Sequence, residues 1–511
     1  MNRKMMQNLN LCTDPWLPVR MQSGDCRRLS LEAFFLHARE ISDMVLAAHE
    51  RIAIMRLLIC ITQRAINGPQ DREEWDECKE EIVPKVLNYL QKWRPAFNLL
   101  GADGAFLQVS GVSFCGGSWK GLSKLNLSSA EGNNPTVFDN GAAGERRVEL
   151  GRLAIDLITY QNFAPCGIIG RVNWLGNPYA DSASAKDAPC NSVVHMFFMG
   201  ENILETIWLN LCTIEEVSTV FSSIGKPVWE CMPNGRNDEQ SIENAQKTYL
   251  GRLVPLSRLV KIEYPENRCL LAMGIEIPVY KDGRLVFFEP FTTVVLNPKS
   301  SERSLVKAAD MSRDMWRNLP ALLHRFNSQG YTLGKLDQAD LPEHYGIWVG
   351  ALVSDNAKIL GTMEDYYAHL SPSCIGAETE RLHYELMEYA NRGCSLCCKA
   401  VRKYCELLTS KKSEKQKNKN DKDNINKIAE RAKLEFWSRM TSHKDKYVNL
   451  VRLKEEVEEW ENELDHWLFV ICDSAKATYE LFAQRDNVRK LAAWSQALYY
   501  LPTKKILKDK R

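Results

Sequence analysis

The chain lacks any apolar run long enough and clean enough to cross a bilayer. The longest, Met44 to Ile66, is interrupted by His49, Glu50, Arg51, Arg56, Gln63 and Arg64, so it reads as an amphipathic helix. The opening residues also lack the continuous apolar stretch of a secretion signal, because Asn8 to Trp16 is polar and carries Pro15. A cytoplasmic protein with no membrane partner is expected. An excess of charge of one sign is missing too: 66 Lys and Arg against 65 Asp and Glu leave a net +1, so there is no global basic field to draw in a polyanion. Nucleic-acid binding must then come from local patches or from a larger assembly. The motifs of common catalytic machinery are missing as well, with no G-x-x-x-x-G-K-[ST], no G-x-S-x-G and no H-E-x-x-H. Nine histidines stand singly, without the His, Asp and Glu spacing that holds an ion and activates water. No enzymatic activity, no metal and no cofactor are expected.

Cysteine is plentiful, but sixteen cysteines scattered along 511 residues without an export signal are expected to be reduced thiols. The cluster Cys394, Cys397 and Cys398, followed by Cys405, lies on a helical pattern without a second C-x-x-C, which favours buried thiols at a helix interface over a metal site. His466, between Asp465 and Trp467, reads as a half-buried helix residue.

That length calls for at least two domains, and the pattern divides at about residue 370. The expected fold is α+β: a large mixed α/β domain, 1–370, followed by a C-terminal four-helix bundle, 371–511. In the first part, NLCTDPWLPVR reads as an edge strand limited by proline, a short strand follows near Arg28, and helices cover Leu31 to Ile41, Met44 to Ile66 and Asp71 to Gln91, the last broken at Pro84. Leu150 to Gln161 is helical, Val193 to Met199 β-rich, and Asn202 to Cys212 a short helix. Strands dominate Leu256 to Leu296, with Lys281-Asp282-Gly283-Arg284 as a hairpin turn. WVGALVSDNAKIL reads as a strand, a turn at Ser354-Asp355-Asn356 and a further element. After Ser371 four amphipathic patterns follow, one of them continuous from Leu450 to Phe482, with breaks near Ser410 to Asn424, Thr441 to Asp445 and Arg485 to Asn487. The first break, KKSEKQKNKNDKDN, is polar and low in complexity and is expected to be a disordered connector.

The stretch from Gly132 to Gly170 organises the rest. GNNPTVFDN and YQNFAPCGIIG are loops punctuated by Gly, Asn and Pro around a short helical run, a pattern that suits close approach of backbone to a partner. Upstream, Trp119, Lys120 and Lys124 are interleaved in GGSWKGLSKL, which suits stacking plus phosphate contact and equally suits a covered loop with one anchoring tryptophan.

At GNNPTVFDN, AIDLITYQNFAPCGIIG, EPF, MWRNL and VSDNAKIL, between NLxxxPWLPV and the helical C-terminal part, the sequence resembles the CasA family, the large subunit of the type I-E CRISPR surveillance complex Cascade. The resemblance implies a non-catalytic subunit that reads the PAM in double-stranded DNA from the minor-groove side and helps start unwinding, while guide CRISPR RNA pairing carries the remaining specificity. It implies as partners the Cascade backbone subunits, the small subunits, the subunit that binds the guide's 5′ handle, and a helicase-nuclease. The family's wedge falls at Asn356, where glutamine is usual, with Ser354 and Asp355 shaping the turn. Its glycine loop falls at Gly167, Ile168, Ile169 and Gly170, after Cys166. Lys281 is the match for the lysine that enters the minor groove, with Lys299 second. Asn133, Asn134 and Phe138, helped by Lys120 and Lys124, match the loop that docks on guide RNA. The zinc-binding cysteine loop of some members is missing, since Pro265 to Leu270 holds only Cys269. The rival readings are a metal-dependent nuclease with dispersed carboxylates and a scaffold that touches only protein.

Overall fold

A computed structural model describes residues 8–101, 104–115, 119–129, 147–179, 184–235, 237–278, 280–281, 284–285, 289–292, 294–296, 303–305, 314–319, 341–355, 358–374, 377–409, 419–453 and 457–509. Chain contacts divide it into two units, Met1–Met311 with His324–Leu370, and Ser312–Leu323 with Ser371–Arg511.

The first unit opens with an antiparallel sheet of β1 (Leu17–Met21), β2 (Cys26–Leu29) and β3 (Ile41–Met44), in the order β2-β1-β3. Proline led us to expect β1 at an edge, and it is the central strand. Pro18 is tolerated because the ladder to β3 begins one residue later, at Val19 opposite Met44, so no N–H is required of it. Helix α1 (Leu31–Leu36) is capped by the Ser30 hydroxyl, which accepts from the Ala33 N–H, and it stops short of Ile41, which belongs to β3.

Helix α2 (Ala48–Ala65) is the spine of this unit. Every residue from Ala48 to Gln63 is buried, so the helix is covered on all sides and not amphipathic as its charges suggested. Those charges are paired inside: Arg51 binds Asp43 through two bonds of 2.6 and 2.8 Å, Glu50 binds Arg152, and Arg56 reaches Glu289 at 2.5 Å. Helices α3 (Arg72–Glu77) and α4 (Ile82–Trp93) follow, separated by a 3₁₀ turn at Cys78–Glu81. The break therefore precedes Pro84, which sits in the first turn of α4, where an N–H is not needed.

Strands β4 (Val112–Cys115) and β5 (Lys120–Gly121) lie where the sequence showed little periodicity. Helix α5 (Leu150–Phe163) then packs on α2. It leads to β6 (Gly167–Ile168), β7 (Arg171–Trp174), β8 (Asn177–Tyr179), β9 (Ser184–Ala185) and β10 (His195–Met199). After α6 (Ile203–Leu209), α7 (Ile214–Val220), α8 (Glu239–Lys247) and α9 (Tyr249–Leu253) come β11 (Arg258–Glu263) and β12 (Arg268–Met273). Next are two small hairpins, β13 (Tyr280–Lys281) with β14 (Arg284–Leu285), and β15 (Val294–Leu296) with β16 (Arg303–Leu305). The unit ends in the long hairpin β17 (Tyr345–Asp355) and β18 (Lys358–Leu370). Its sheets run β4-β7-β8, β5-β12-β11, β6-β9 and β10-β17-β18. Strand β17 is central and buried from Tyr345 to Val353, while β18, an edge of its sheet, mixes exposed, half-buried and buried residues.

In the second unit the long helices α10 (Ala377–Thr409), α11 (Lys419–Thr441) and α13 (Val457–Phe482) pack with α14 (Val488–Leu498), and α12 (Lys444–Arg452) and α15 (Lys504–Lys508) complete it. The continuous helix expected from Leu450 to Phe482 is interrupted, with Leu453 capping α12. Part of the supposed connector is helical, because α11 begins at Lys419 and carries Asp421 in its first turn, where a carboxylate meets the positive end of the helix dipole. Trp316 of MWRNL is fully buried here, its ring centroid 6.0 Å from Trp437, 5.5 Å from Tyr447 and 6.4 Å from Trp467. Cys394, Cys397 and Cys398 are buried thiols, and all sixteen cysteines are free. Among the described residues no helix is long and apolar enough to cross a membrane.

Candidate nucleic-acid interface

Helix α5 sets the position of the glycine loop. Its residues apart from Arg152 are buried, and its last turn is fastened by side chains that imitate backbone. The Gln161 amide donates to the Arg258 carbonyl at 2.9 Å and accepts from the Arg258 N–H at 2.9 Å, so the helix end joins the first residue of β11. The Ala164 carbonyl accepts from the Ala188 N–H at 2.9 Å, which ties the start of the loop to its return segment. Beneath both lies the Arg258 guanidinium, 2% exposed, donating to the carbonyls of Pro165 at 2.9 Å and Lys186 at 2.7 Å. Burial pushes its pKa down from the usual arginine value, and the carbonyl dipoles around it supply the solvation that water would otherwise give.

The loop is lifted above this support. Gly167 has φ +150°, a conformation that favours glycine, and a Cβ built there would meet nothing within 4 Å. Ile168 is 94% exposed. Ile169 and Gly170 are half-buried, and the Gly170 N–H is committed to the Leu271 carbonyl at 3.2 Å. The two glycines therefore differ: Gly167 leaves open space over its backbone, and Gly170 anchors the loop to β12.

The hairpin β17–β18 presents its tip to the loop's return segment. Register shifts between Val353 and Ser354, with Val353 opposite Gly361 and Ser354 opposite Ile359, so Leu360 is the extra residue of a bulge. The bulge bends the tip and aims Ser354 inward. Ser354 Oγ donates to Asn191 Oδ1 at 3.0 Å and lies 2.7 Å from Ser192 Oγ, which also accepts from the Ser354 N–H at 3.2 Å. Asn191 Nδ2 donates in turn to Asp187 Oδ1 at 2.7 Å, and the same oxygen accepts from the Cys166 N–H at 2.8 Å. Burial and the Asp187 carboxylate together push the Cys166 thiol up. A cleft of about 480 Å³ lies beside this chain of bonds, lined by Cys166, Lys186, Asp187, Asn191, Arg258 and Glu276 among others.

Sequence reasoning missed Asp187, Asn191 and Ser192. Their signal was a Pro-containing run of turn formers, DAPCNS, that carried no motif. Asp355 is exposed at the tip, while Asn356 lies outside the described residues, as do Asn133, Asn134, Phe138 and Lys299. Lys281 pairs with Arg284 across the expected hairpin. Lys120 is exposed on β5 opposite Cys269, and Lys124 is half-buried in a 3₁₀ turn. Beside Lys120, the Trp119 ring has the Arg268 guanidinium 4.2 Å from its centroid and the Lys261 ammonium at 5.9 Å, two cations that the sequence did not single out. Strand β12 thus carries this patch at its Arg268 end and the Gly170 anchor at its Leu271–Ala272 end, about 10 Å away at strand rise. His466 is exposed instead of half-buried, with Lys446 Nζ 3.2 Å from its Nε2. Among the described residues no group of three or more His, Cys, Asp or Glu is placed to hold a metal ion.

The family model for CRISPR-associated protein Cse1 matches residues 10–475. The CasA/Cse1 protein of Thermus thermophilus is 27% identical over 386 residues, 71% of each chain. Among solved structures, Cse1 from Acidimicrobium ferrooxidans aligns with a TM-score of 0.76 at 15% identity, covering 98% of both chains. A chain of a CRISPR RNA-guided surveillance complex aligns with a TM-score of 0.69 at 12% identity, covering 98% of this chain and all of its own. The fold is shared with these structures, and the motif resemblance is borne out: the chain belongs to the CRISPR-associated protein Cse1 (CasA) family.

Proposed function

We propose that this chain is the non-catalytic large subunit of a type I-E CRISPR RNA-guided surveillance complex, Cascade, and that its first unit checks the PAM in double-stranded DNA before guide pairing begins. Gly167, Ile168 and Ile169 lie against the minor groove, with Gly170 as their anchor. Ser354, Asp355 and Asn356 form the wedge that parts the first base pairs, and Lys281 supplies a cation to the groove. Lys120 and Lys124, with Asn133, Asn134 and Phe138, hold guide RNA. The helical unit faces the small subunits and the displaced strand, and the assembled subunit receives the helicase-nuclease.

One observation carries the reading: the side of Gly167 on which a Cβ would stand is open, and the β17–β18 tip is tied through Asn191 and Asp187 to the residue before it. An α/β surface that opens backbone to a partner beside a bent hairpin tip suits a groove-facing reader. The family supplies the assembly: a surveillance-complex chain has this fold.

The test is binding of the assembled complex to guide-matched duplexes that differ only in the flanking trinucleotide. Affinity is expected to vary by at least tenfold among them, and to depend far less on the trinucleotide when the target is opened beforehand as a bubble. Equal affinity for all flanks, or cleavage of duplex by the lone subunit with Mg²⁺ or Mn²⁺, would contradict the proposal.

A further inference from the structure

We propose that Asp187 and Asn191 are positioning residues that lock the glycine loop and the hairpin tip into one rigid reader, so that discrimination among flanking sequences depends on side chains that touch no base. This rests on the function proposed above and adds the device that makes it selective.

Gly167 has no Cβ to fix it by packing, and the space around it is open. Left alone, such a loop samples many conformations, and a partner would select among them with little sequence preference. The hairpin tip has a similar freedom, being two strands bent by a bulge. The short β6–β9 ladder and the Gly170 anchor hold the loop to its own neighbours, and one carboxylate oxygen adds the tie between loop and tip. Asp187 Oδ1 takes the Cys166 N–H, one residue before Gly167, and the Asn191 amide, whose own oxygen takes the Ser354 hydroxyl at the tip. Bonds to an ionised acceptor are the stronger kind, and here two of them converge. Ser192 completes the latch with φ +56°, a strained conformation for serine that brings its hydroxyl to the N–H and Oγ of Ser354. Loop and tip are distant in sequence and are joined by three side chains in a row, Asp187, Asn191 and Ser354, with Ser192 bonded to Ser354 beside them. Asp187 is itself exposed, so its removal does not open the core.

Two consequences distinguish this role from direct DNA contact. A negative charge close to a phosphate backbone weakens binding to every duplex alike, so removing it raises overall affinity if anything. What falls is the ratio between permissive and non-permissive flanks. Because Asp187, Asn191 and Ser354 act in series, breaking one link leaves little for a second break to do.

The experiment compares assembled complexes carrying wild-type, Asp187→Ala, Asp187→Asn, Ser354→Ala or the double Asp187→Ala/Ser354→Ala subunit. Each is measured on guide-matched duplexes with permissive and non-permissive flanks and on a pre-opened bubble. Expected are a roughly tenfold fall in the flank ratio for Asp187→Ala, bubble affinity within about twofold of wild type, and recovery of most of the ratio in Asp187→Asn, which keeps the accepting oxygen. The double variant should lose no more than the worse single one. An unchanged ratio in Asp187→Ala, losses that multiply in the double variant, or an equal fall on duplex and bubble overturns the inference while leaving the function in place. If the wild-type complex shows no flank dependence at all, the function fails first and the inference with it.

Discussion

The Glu289 carboxylate lies between two arginines, with Arg56 Nη2 2.5 Å from one oxygen and Arg252 Nη2 2.7 Å from the other, and all three side chains are fully buried. Glu289 opens the EPF motif, and its carboxylate is engaged inside the fold. It links α2 to α9, and Arg56 adds bonds to the Leu253 and Arg252 carbonyls at 3.0 and 2.6 Å.

Glu289→Gln keeps the shape and removes the charge, leaving two guanidinium groups without a carboxylate in the core. A broken buried pair costs about 3–5 kcal/mol. Urea denaturation of the isolated subunit should show a loss of that order. A loss under about 1 kcal/mol would mean the cluster is not a main support of the first unit.

Gly167→Asp separates function from stability. Open space surrounds the position, so the cost of an L-residue at φ +150° is about 1–3 kcal/mol of backbone strain with no clash. The subunit should still fold and assemble, while binding of duplex target by the complex falls at least tenfold. A variant that binds duplex normally would remove the loop from the interface.

Acid should unfold the first unit through two histidines. Burial pulls the pKa of His49 down to about 4 and that of His195 down to about 3, so both are neutral in the fold at neutral pH. Because these values lie below that of a free imidazole, the unfolded chain binds protons first. The stability the neutral rings contribute is complete above about pH 6.5 and is lost as pH falls toward 4 and then 3. Each imidazole contributes a slope on the order of 1.4 kcal/mol per pH unit below about 6.5. Urea midpoints measured from neutral pH down to about 5 should fall steadily, and His195→Gln should flatten part of the slope. A flat profile would contradict it.

Trp119→Ala and Lys120→Glu probe the patch at the other end of β12. The tryptophan offers a face already held by Arg268 and the lysine an exposed cation. Trp119→Ala should weaken incorporation of guide RNA into the complex by about 1–3 kcal/mol per stacked base. Lys120→Glu should lower the salt dependence by about one phosphate contact. If neither changes assembly, the patch is structural.

Much of this was legible in sequence because local pattern and final structure agree. The apolar run WVGALV was legible as a strand and three- and four-residue spacing as the C-terminal helices, whereas the turn expected at Ser354-Asp355-Asn356 lies further on, since Ser354 and Asp355 still pair with Ile359 and Lys358 of β18. Helix α2 misled because charge was taken as a sign of exposure. Its partners Asp43, Arg152 and Glu289 lie in separate elements, and only the folded chain brings them together. Pro18 misled for a similar reason, since a strand can be central while one of its residues lies beyond its neighbour's ladder. At the site, Gly167 was readable as a need for bare backbone. Asp187 and Asn191 were not, because side chains that organise two distant turns leave no periodicity or motif.

The most direct measurement places a photo-crosslinking side chain at Ile168, the residue most exposed on the loop, in the complex bound to a guide-matched duplex. Crosslinks are expected at the flanking trinucleotide and to disappear when that trinucleotide is non-permissive. Crosslinks confined to neighbouring protein subunits, with none to DNA, would contradict a groove-facing glycine loop.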